Sequence, residues 1–261
     1  MRVGEISTTN KSEVRKIITR SVGKDERNLE SATQKALWKR KRNTVIGLGV
    51  IIIAIIGLLA YYYVPSRTRS TSQTSSNTAS MLLAGTYPVL GSPSAPVTIV
   101  EFGDFQCTDC GSWVRTQEPQ LLQNLVKTGK AKLAWRDFAY LGPDSIVASE
   151  AAYAAWEQGK FWEYHDLLYS NQGIINSGWA NREDLTRFAS QLGLNMKEFN
   201  ASLQSNKYLQ LIMSNRNLGD SLGVTRAPTF FVIGPSGKIV TIVGDQPYSV
   251  FQTAVDSLVS G

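Results

Sequence analysis

The chain has 261 residues, 43% hydrophobic and 18% charged, a composition ordinary for a folded protein with one unusually apolar segment, and global disorder is excluded. The formal charge of +6 is a property of the tail: residues 1 to 43 hold 12 Lys/Arg against 5 Asp/Glu, whereas residues 44 to 261 hold 15 against 16. The main domain is nearly neutral, so nucleic-acid binding has little support.

Residues 1–43 are polar and of mixed charge and read as a solvated, basic cytoplasmic tail. Residues 45–64, VIGLGVIIIAIIGLLAYYYV, carry no charge, and a helix of that length spans about 30 Å, the hydrocarbon thickness of a bilayer. Trp38-Lys39-Arg40-Lys41-Arg42 precedes the run and Tyr61, Tyr62 and Tyr63 close it. The positive-inside rule puts the N-terminus in the cytoplasm and the C-terminal domain outside, with a single transmembrane anchor over 44–64. A cleaved signal peptide is the alternative; the long leader, the long apolar run and the lack of a small-x-small site directly after it oppose that reading. Residues 65–86 form a Ser/Thr-rich linker, since 66–80 is Ser or Thr at ten of fifteen positions and such a stretch cannot bury a core.

From residue 87 the pattern is that of an α/β domain. VTIVEFG at 97–103 predicts a strand, 109–127 a helix and 131–139 a second strand. ASEAAYAAWEQ, FWEYHDLLY and LTRFASQLG have helical composition, and Asn195 with Glu198 three positions on makes a capping box for the next short helix. Tyr208, Leu211, Ile212, Asn215, Leu218 and Leu222 keep helical spacing in the last of this group. Residues 230–244 read as two strands about a Gly234-Pro235-Ser236-Gly237 turn, followed by a short amphipathic helix. Strand, helix, strand, helices, hairpin, helix is the order of a layered sheet covered on both sides.

The two cysteines, Cys107 and Cys110, stand three positions apart where an apolar strand meets a helix. A structural zinc site needs four ligands, and the chain offers two cysteines and one distant histidine, His165. A structural staple closing so short a loop stabilises by only about 2 kcal/mol. Redox chemistry fits better: a cysteine opening a helix faces unpaired N–H groups and the positive end of the dipole, which favours thiolate, and a second sulfur three residues on can resolve a mixed disulfide. His165 lies among Phe161, Trp162, Tyr164 and Leu168 and reads as a packed helix histidine; Trp113, Trp135 and Trp156 read as core.

At this point the residues resemble a known family, the DsbA-like thiol-disulfide oxidoreductases of the thioredoxin superfamily. SPSAPVTIVEFGDFQCTDC is similar to that family's first strand and active-site helix, RDFAYLGPDS to its second strand and exit, FWEYHDLLY to its helical insertion and GVTRAPTFFV to its cis-proline loop. The resemblance covers about 87–260 and implies a thioredoxin fold over 87–261, with a helical insertion at about 142–223.

It further implies that Cys107 is the exposed nucleophile, Cys110 the buried resolving cysteine, and Pro228 a cis-proline facing their disulfide, with no other cofactor. Ala227 would pair its backbone with a substrate chain, and Thr108 and Asp109 would border the same surface. Glu101 occupies the place of a buried acid beneath the site, suited to proton transfer with Cys110; an ion pair with Lys132 or Arg136 is the alternative. Asp109 stands where strongly oxidising members often carry histidine, so its carboxylate is expected to oppose the Cys107 thiolate and make a milder oxidant.

The activity so implied is disulfide formation in exported proteins by a monomeric, membrane-anchored enzyme, re-oxidised by a membrane partner of the DsbB or VKOR type. A reductase using the same site, or a tethered chaperone or assembly module without redox turnover, is the alternative. An isomerase is less well supported, because no dimerisation domain is evident.

Overall fold

The computed structural model describes residues 75–85 and 87–259, together with the isolated positions 38, 39 and 55. The chain divides into Met1–Arg69 and Ser70–Gly261, and the second unit carries every element described below. The expected tail, anchor and first part of the linker lie almost wholly outside the described residues. Among the described residues no helix is long and apolar enough to cross a membrane.

The linker expectation fails at its C-terminal part. Residues 75–83 form a helix, α1, that buries Ala79 and Leu82 in the main core. Average Ser/Thr content concealed two apolar residues three positions apart, which share one helical face. The end of α1 is then gripped from the sheet, for the guanidinium of Arg136 donates to the carbonyls of Leu82 and Ala84 and lies 4.3 Å from the Tyr87 ring centroid. Such bonds satisfy carbonyls that a helix end otherwise leaves open.

Five strands make one sheet: β1 (Val89–Leu90), β2 (Val97–Gly103), β3 (Ala131–Asp137), β4 (Thr229–Ile233) and β5 (Ile239–Val243), in the spatial order β1-β3-β2-β4-β5. Central β2 is buried at all seven positions, as its unbroken apolar run requires of a strand covered on both faces. It runs parallel to β3, Val97 opposite Ala131 and Gly103 opposite Asp137, and antiparallel to β4, Glu101 opposite Phe230. The hairpin from β4 to β5 turns at Gly234–Gly237, where Gly237 has φ +78°, a conformation that favours glycine. Expected strand 131–139 ends at Asp137, and β1 is too short to have been read from the sequence.

A parallel pair needs a crossover, supplied here by α2 (Thr108–Thr116), α3 (Glu118–Leu121) and a π-helical turn at Leu122–Val126. One continuous helix was expected over 109–127. Pro119, which has no N–H to donate, stands in the first turn of a new helix and interrupts it. The insertion is as expected: α4 (Pro143–Trp156), α5 (Phe161–Ser170), α6 (Arg182–Gln191), α7 (Met196–Gln204) and α8 (Leu209–Ser221) fill the span between β3 and β4, and α9 (Tyr248–Val259) closes the domain.

The capping box forms by half. Asn195 Oδ1 accepts the Lys197 and Glu198 N–H groups, but its own N–H bonds Gln158 Oε1, and Glu198 takes the Asn195 side-chain amide instead. Trp113 and Trp135 are fully buried, Trp113 against Phe230 and Phe251 and Trp135 stacked on Phe105. Trp156 is half-buried against Tyr153 and Tyr208.

Candidate active site

After Gly103 the chain leaves β2 in a tight turn made by Asp104. Its Oδ1 accepts the Gln106 N–H at 2.8 Å, its carbonyl accepts the Cys107 N–H at 2.9 Å, and its Oδ2 accepts the Tyr140 and Leu141 N–H groups. This Asx turn delivers Cys107 in an extended conformation as the N-cap of α2. The sulfur then does the work a Ser or Asp oxygen does at other caps. Sγ of Cys107 accepts the Cys110 N–H at 3.3 Å and donates to the Ala227 carbonyl at 3.2 Å.

The two thiols, both free, are held in different states. Cys107 is lowered below the ordinary thiol value, first by the Cys110 side-chain hydrogen bond and then by the Cys110 and Asp109 N–H groups, against burial and the Asp104 charge. Cys110, with no exposed surface, is pushed well up by burial first and then by the Cys107 thiolate and Glu101. A sulfur whose thiolate is favoured thus sits at a helix mouth beside one held as the thiol, the division of labour that disulfide exchange needs.

Exposure departs from expectation. Cys107 is only 5% exposed, because Ala227, itself buried, places its carbonyl on the thiol. The Ala227–Pro228 bond is cis, and Pro228 is buried beside the sulfur's acceptor. Thr108 is exposed at the first position of α2, and Asp109 is half-buried.

Asp109 does not act as its position suggested. Its Oδ2 meets Arg226 Nη2 at 2.6 Å, and its own N–H favours the Cys107 thiolate. The carboxyl that opposes the thiolate is the buried Asp104, three residues before Cys107. Sequence reading missed Asp104; the signal available was an Asp two residues before a turn residue and three before a helix N-cap.

Glu101 lies within β2, opposite Trp135 on β3 and Phe230 on β4, and neither carboxyl oxygen has a hydrogen-bond partner. The ion-pair alternative fails on geometry. Lys132 Nζ bonds the Pro93 and Ala95 carbonyls, and Arg136 serves Asn215 and the end of α1. Burial, followed by the charge of Cys107, pushes Glu101 up to about 8, so it is protonated at neutral pH. Gly103 makes room for it: a Cβ there would run into the Trp135 ring and come within 3.1 Å of Glu101 Oε1.

The insertion also grips this site. Gln172 Nε2 donates to the carbonyls of Phe105 and Cys107, and Gln106 Nε2 donates to Ser145 Oγ and Asn176 Oδ1. Gln172 and Asn176 lie on the loop after α5, and no sequence pattern marks them. His165, fully buried among Phe105, Trp135, Phe161, Trp162 and Tyr169, is packed as expected.

A family model described as thioredoxin matches residues 83–256. Probable disulfide bond formation protein D of Bacillus cereus is 27% identical over 202 residues, covering 74% of this chain and 90% of the relative. Among solved structures, oxidised BdbD from Bacillus subtilis superposes with a TM-score of 0.61 at 22% identity, over 67% of this chain and 94% of that one. A thioredoxin-like oxidoreductase from Silicibacter pomeroyi DSS-3 gives 0.57 at 29% identity, over 68% and 95%. With the CxxC pair at the mouth of α2, the cis-proline against it and a helical insertion between β3 and β4, this chain belongs to the thioredoxin family.

Proposed function

We propose that the protein is an extracytoplasmic thiol-disulfide oxidoreductase that forms disulfides in exported proteins. The observation that carries this reading is the asymmetry of the two sulfurs, Cys107 capping α2 with its thiolate favoured and Cys110 fully buried above a carboxylic acid. In the oxidised enzyme Cys107 and Cys110 are linked. A substrate thiolate attacks Cys107, a new S–S bond forms there, and Cys110 leaves as thiolate and takes the proton of Glu101. A second substrate thiolate attacks the substrate sulfur of the mixed disulfide and expels Cys107 as thiolate. Two electrons and one proton remain on the enzyme pair and the substrate gains one disulfide; Glu101 recovers its proton from water.

The substrate chain would lie along Ala227 and Pro228, bordered by Thr108 and Asp109, once the Ala227 carbonyl no longer holds the thiol. Re-oxidation belongs to a membrane partner of the DsbB or VKOR type, and the apolar run 44–64 would tether the domain beside it. The redox-active disulfide is then the sole cofactor required.

One observation favours running the same site backwards as a reductase. The buried Asp104 opposes the Cys107 thiolate and so stabilises the reduced pair less than in a strong oxidant. Oxidation of a reduced client and reduction of insulin, each measured with the parent and with Cys107→Ser, separate the readings. Disulfide formation is expected to be the stronger parent activity and to fall to the uncatalysed background in the variant. A stronger insulin reduction reverses the direction, and an unchanged variant leaves a chaperone or assembly module.

A further inference from the structure

Helices α3 and α5 bring Glu118 together with the adjacent pair His165 and Asp166, far from it in sequence. One ligand atom from each lies within 4.8 Å of the other two. Glu118 and Asp166 line a surface recess of about 440 Å³ that Val114, Lys127 and Ser170 also border. We infer that Glu118, His165 Nδ1 and Asp166 form a site for one first-row divalent cation of the Zn²⁺ type.

The donor set decides the class of ion. An imidazole nitrogen with two carboxylates suits Zn²⁺ and its first-row neighbours, whereas Ca²⁺ and Mg²⁺ take oxygen ligands alone. Three protein ligands leave a position for water, since the recess opens to solvent.

A second observation points to a ligand. Glu118 is 3% exposed and its carboxyl receives no hydrogen bond from any described residue, yet it borders the recess. In that recess its oxygens can be met by water or by a cation. The cationic groups nearby are engaged elsewhere: Arg115 Nη1 donates to the Tyr169 carbonyl at 2.9 Å, and Lys127 Nζ to Gln123 Oε1 at 3.0 Å.

His165 has a related deficit. Its Nδ1 bonds Asp166 Oδ1 at 3.0 Å, while Nε2 is buried without a partner. If Nδ1 is the donor of that bond, Nε2 is a buried lone pair with nothing to accept. With Nδ1 on a cation the ring carries its hydrogen on Nε2, where the surrounding aromatic rings can receive a weak N–H···π contact.

Bonds of about 2.0–2.2 Å bring ligand atoms to roughly 3.5 Å of one another. The closure required is about an ångström, and the Asp166 side chain, 66% exposed, is free to supply it.

The test is titration of the full chain, carrying Cys107→Ser and Cys110→Ser so that no thiolate competes, with Zn²⁺ alone in a calorimeter. His165 is the sole histidine, which keeps the background low. One Zn²⁺ per chain is expected, with Asp166→Asn, His165→Gln and Glu118→Gln each weakening binding at least about tenfold, and with a Zn²⁺-dependent rise in Tm that Asp166→Asn lacks. Because core substitutions can disturb folding, the exposed Asp166 is the deciding position. Absence of saturable one-site binding, or an Asp166→Asn affinity within about twofold of the parent, overturns the site.

Discussion

Two buried carboxyl groups at the same end of the sheet have opposite surroundings. Asp137 closes β3 with its needs met: Trp135 Nε1 donates to Oδ1 at 3.1 Å, and the Tyr153 hydroxyl and Asn215 Nδ2 donate to Oδ2 at 2.7 and 3.1 Å. Glu101, on the neighbouring strand opposite Trp135, has no partner at all. The first ties the insertion to the sheet through α4 and α8 and is structural. The second is a cost to folding that the proton transfer proposed above for Cys110 would explain.

The strongest way to break this contrast is to remove Asp137. Asp137→Ala leaves the Trp135, Tyr153 and Asn215 donors unsatisfied in the interior and should destabilise the domain by about 3 kcal/mol or more, read from urea unfolding. A loss under about 1 kcal/mol would remove the structural half of the comparison.

Glu101→Gln should behave in the reverse way. Stability at neutral pH is expected to hold or rise, while release of Cys110 during exchange slows on the order of a hundredfold, seen by stopped-flow reaction with a reduced peptide. Equal rates would return Glu101 to the status of an unexplained buried acid.

The same group fixes a pH dependence. Folded Glu101 titrates near 8 against an ordinary 4.5, so between those values the native state holds a proton that the unfolded chain gives up. Stability should therefore be greatest at the acid side of this window, fall as pH rises from about 4.5 toward 8, and level off above. Glu118, also raised to about 8 by burial, adds to the slope. Glu101→Gln should flatten part of it, and a profile identical to the parent would mean that the acid is not the source.

A smaller effect separates Asp104 from Asp109. Asp104→Asn should increase the Cys107 thiolate fraction, measured by thiolate absorbance against pH, because it deletes the opposing charge while an amide oxygen can keep the turn. Asp109→Asn should shift the same titration less and change stability by under about 1 kcal/mol, as for an exposed ion pair. The reverse ranking would restore the expectation drawn from position alone.

What was legible in the sequence was local. The CxxC at a strand-to-helix junction, Pro228 ahead of an apolar strand, the run 97–103 and the helical insertion follow from short-range pattern. What escaped depended on tertiary partners. Helix α1 hid in a Ser/Thr-rich stretch because its hold on the domain comes from Ala79, Leu82 and the distant Arg136. Asp104 and Asp109 have the same side-chain chemistry, and only the fold buries one and gives the other Arg226. Glu101 could be placed by resemblance, but its lack of an ion pair emerged only when Lys132 and Arg136 were seen to be occupied.

Gly103 has one more consequence. Since the Trp135 ring and Glu101 Oε1 already fill the volume a methyl group would take, these three positions form a single steric unit spanning two strands. Enlarging Gly103 alone must push the indole or the acid aside, whereas pairing that change with a smaller ring at 135 frees the space. The two substitutions together should therefore do less harm than their separate effects added, and the geometry under the resolving sulfur is set jointly by three side-chain sizes.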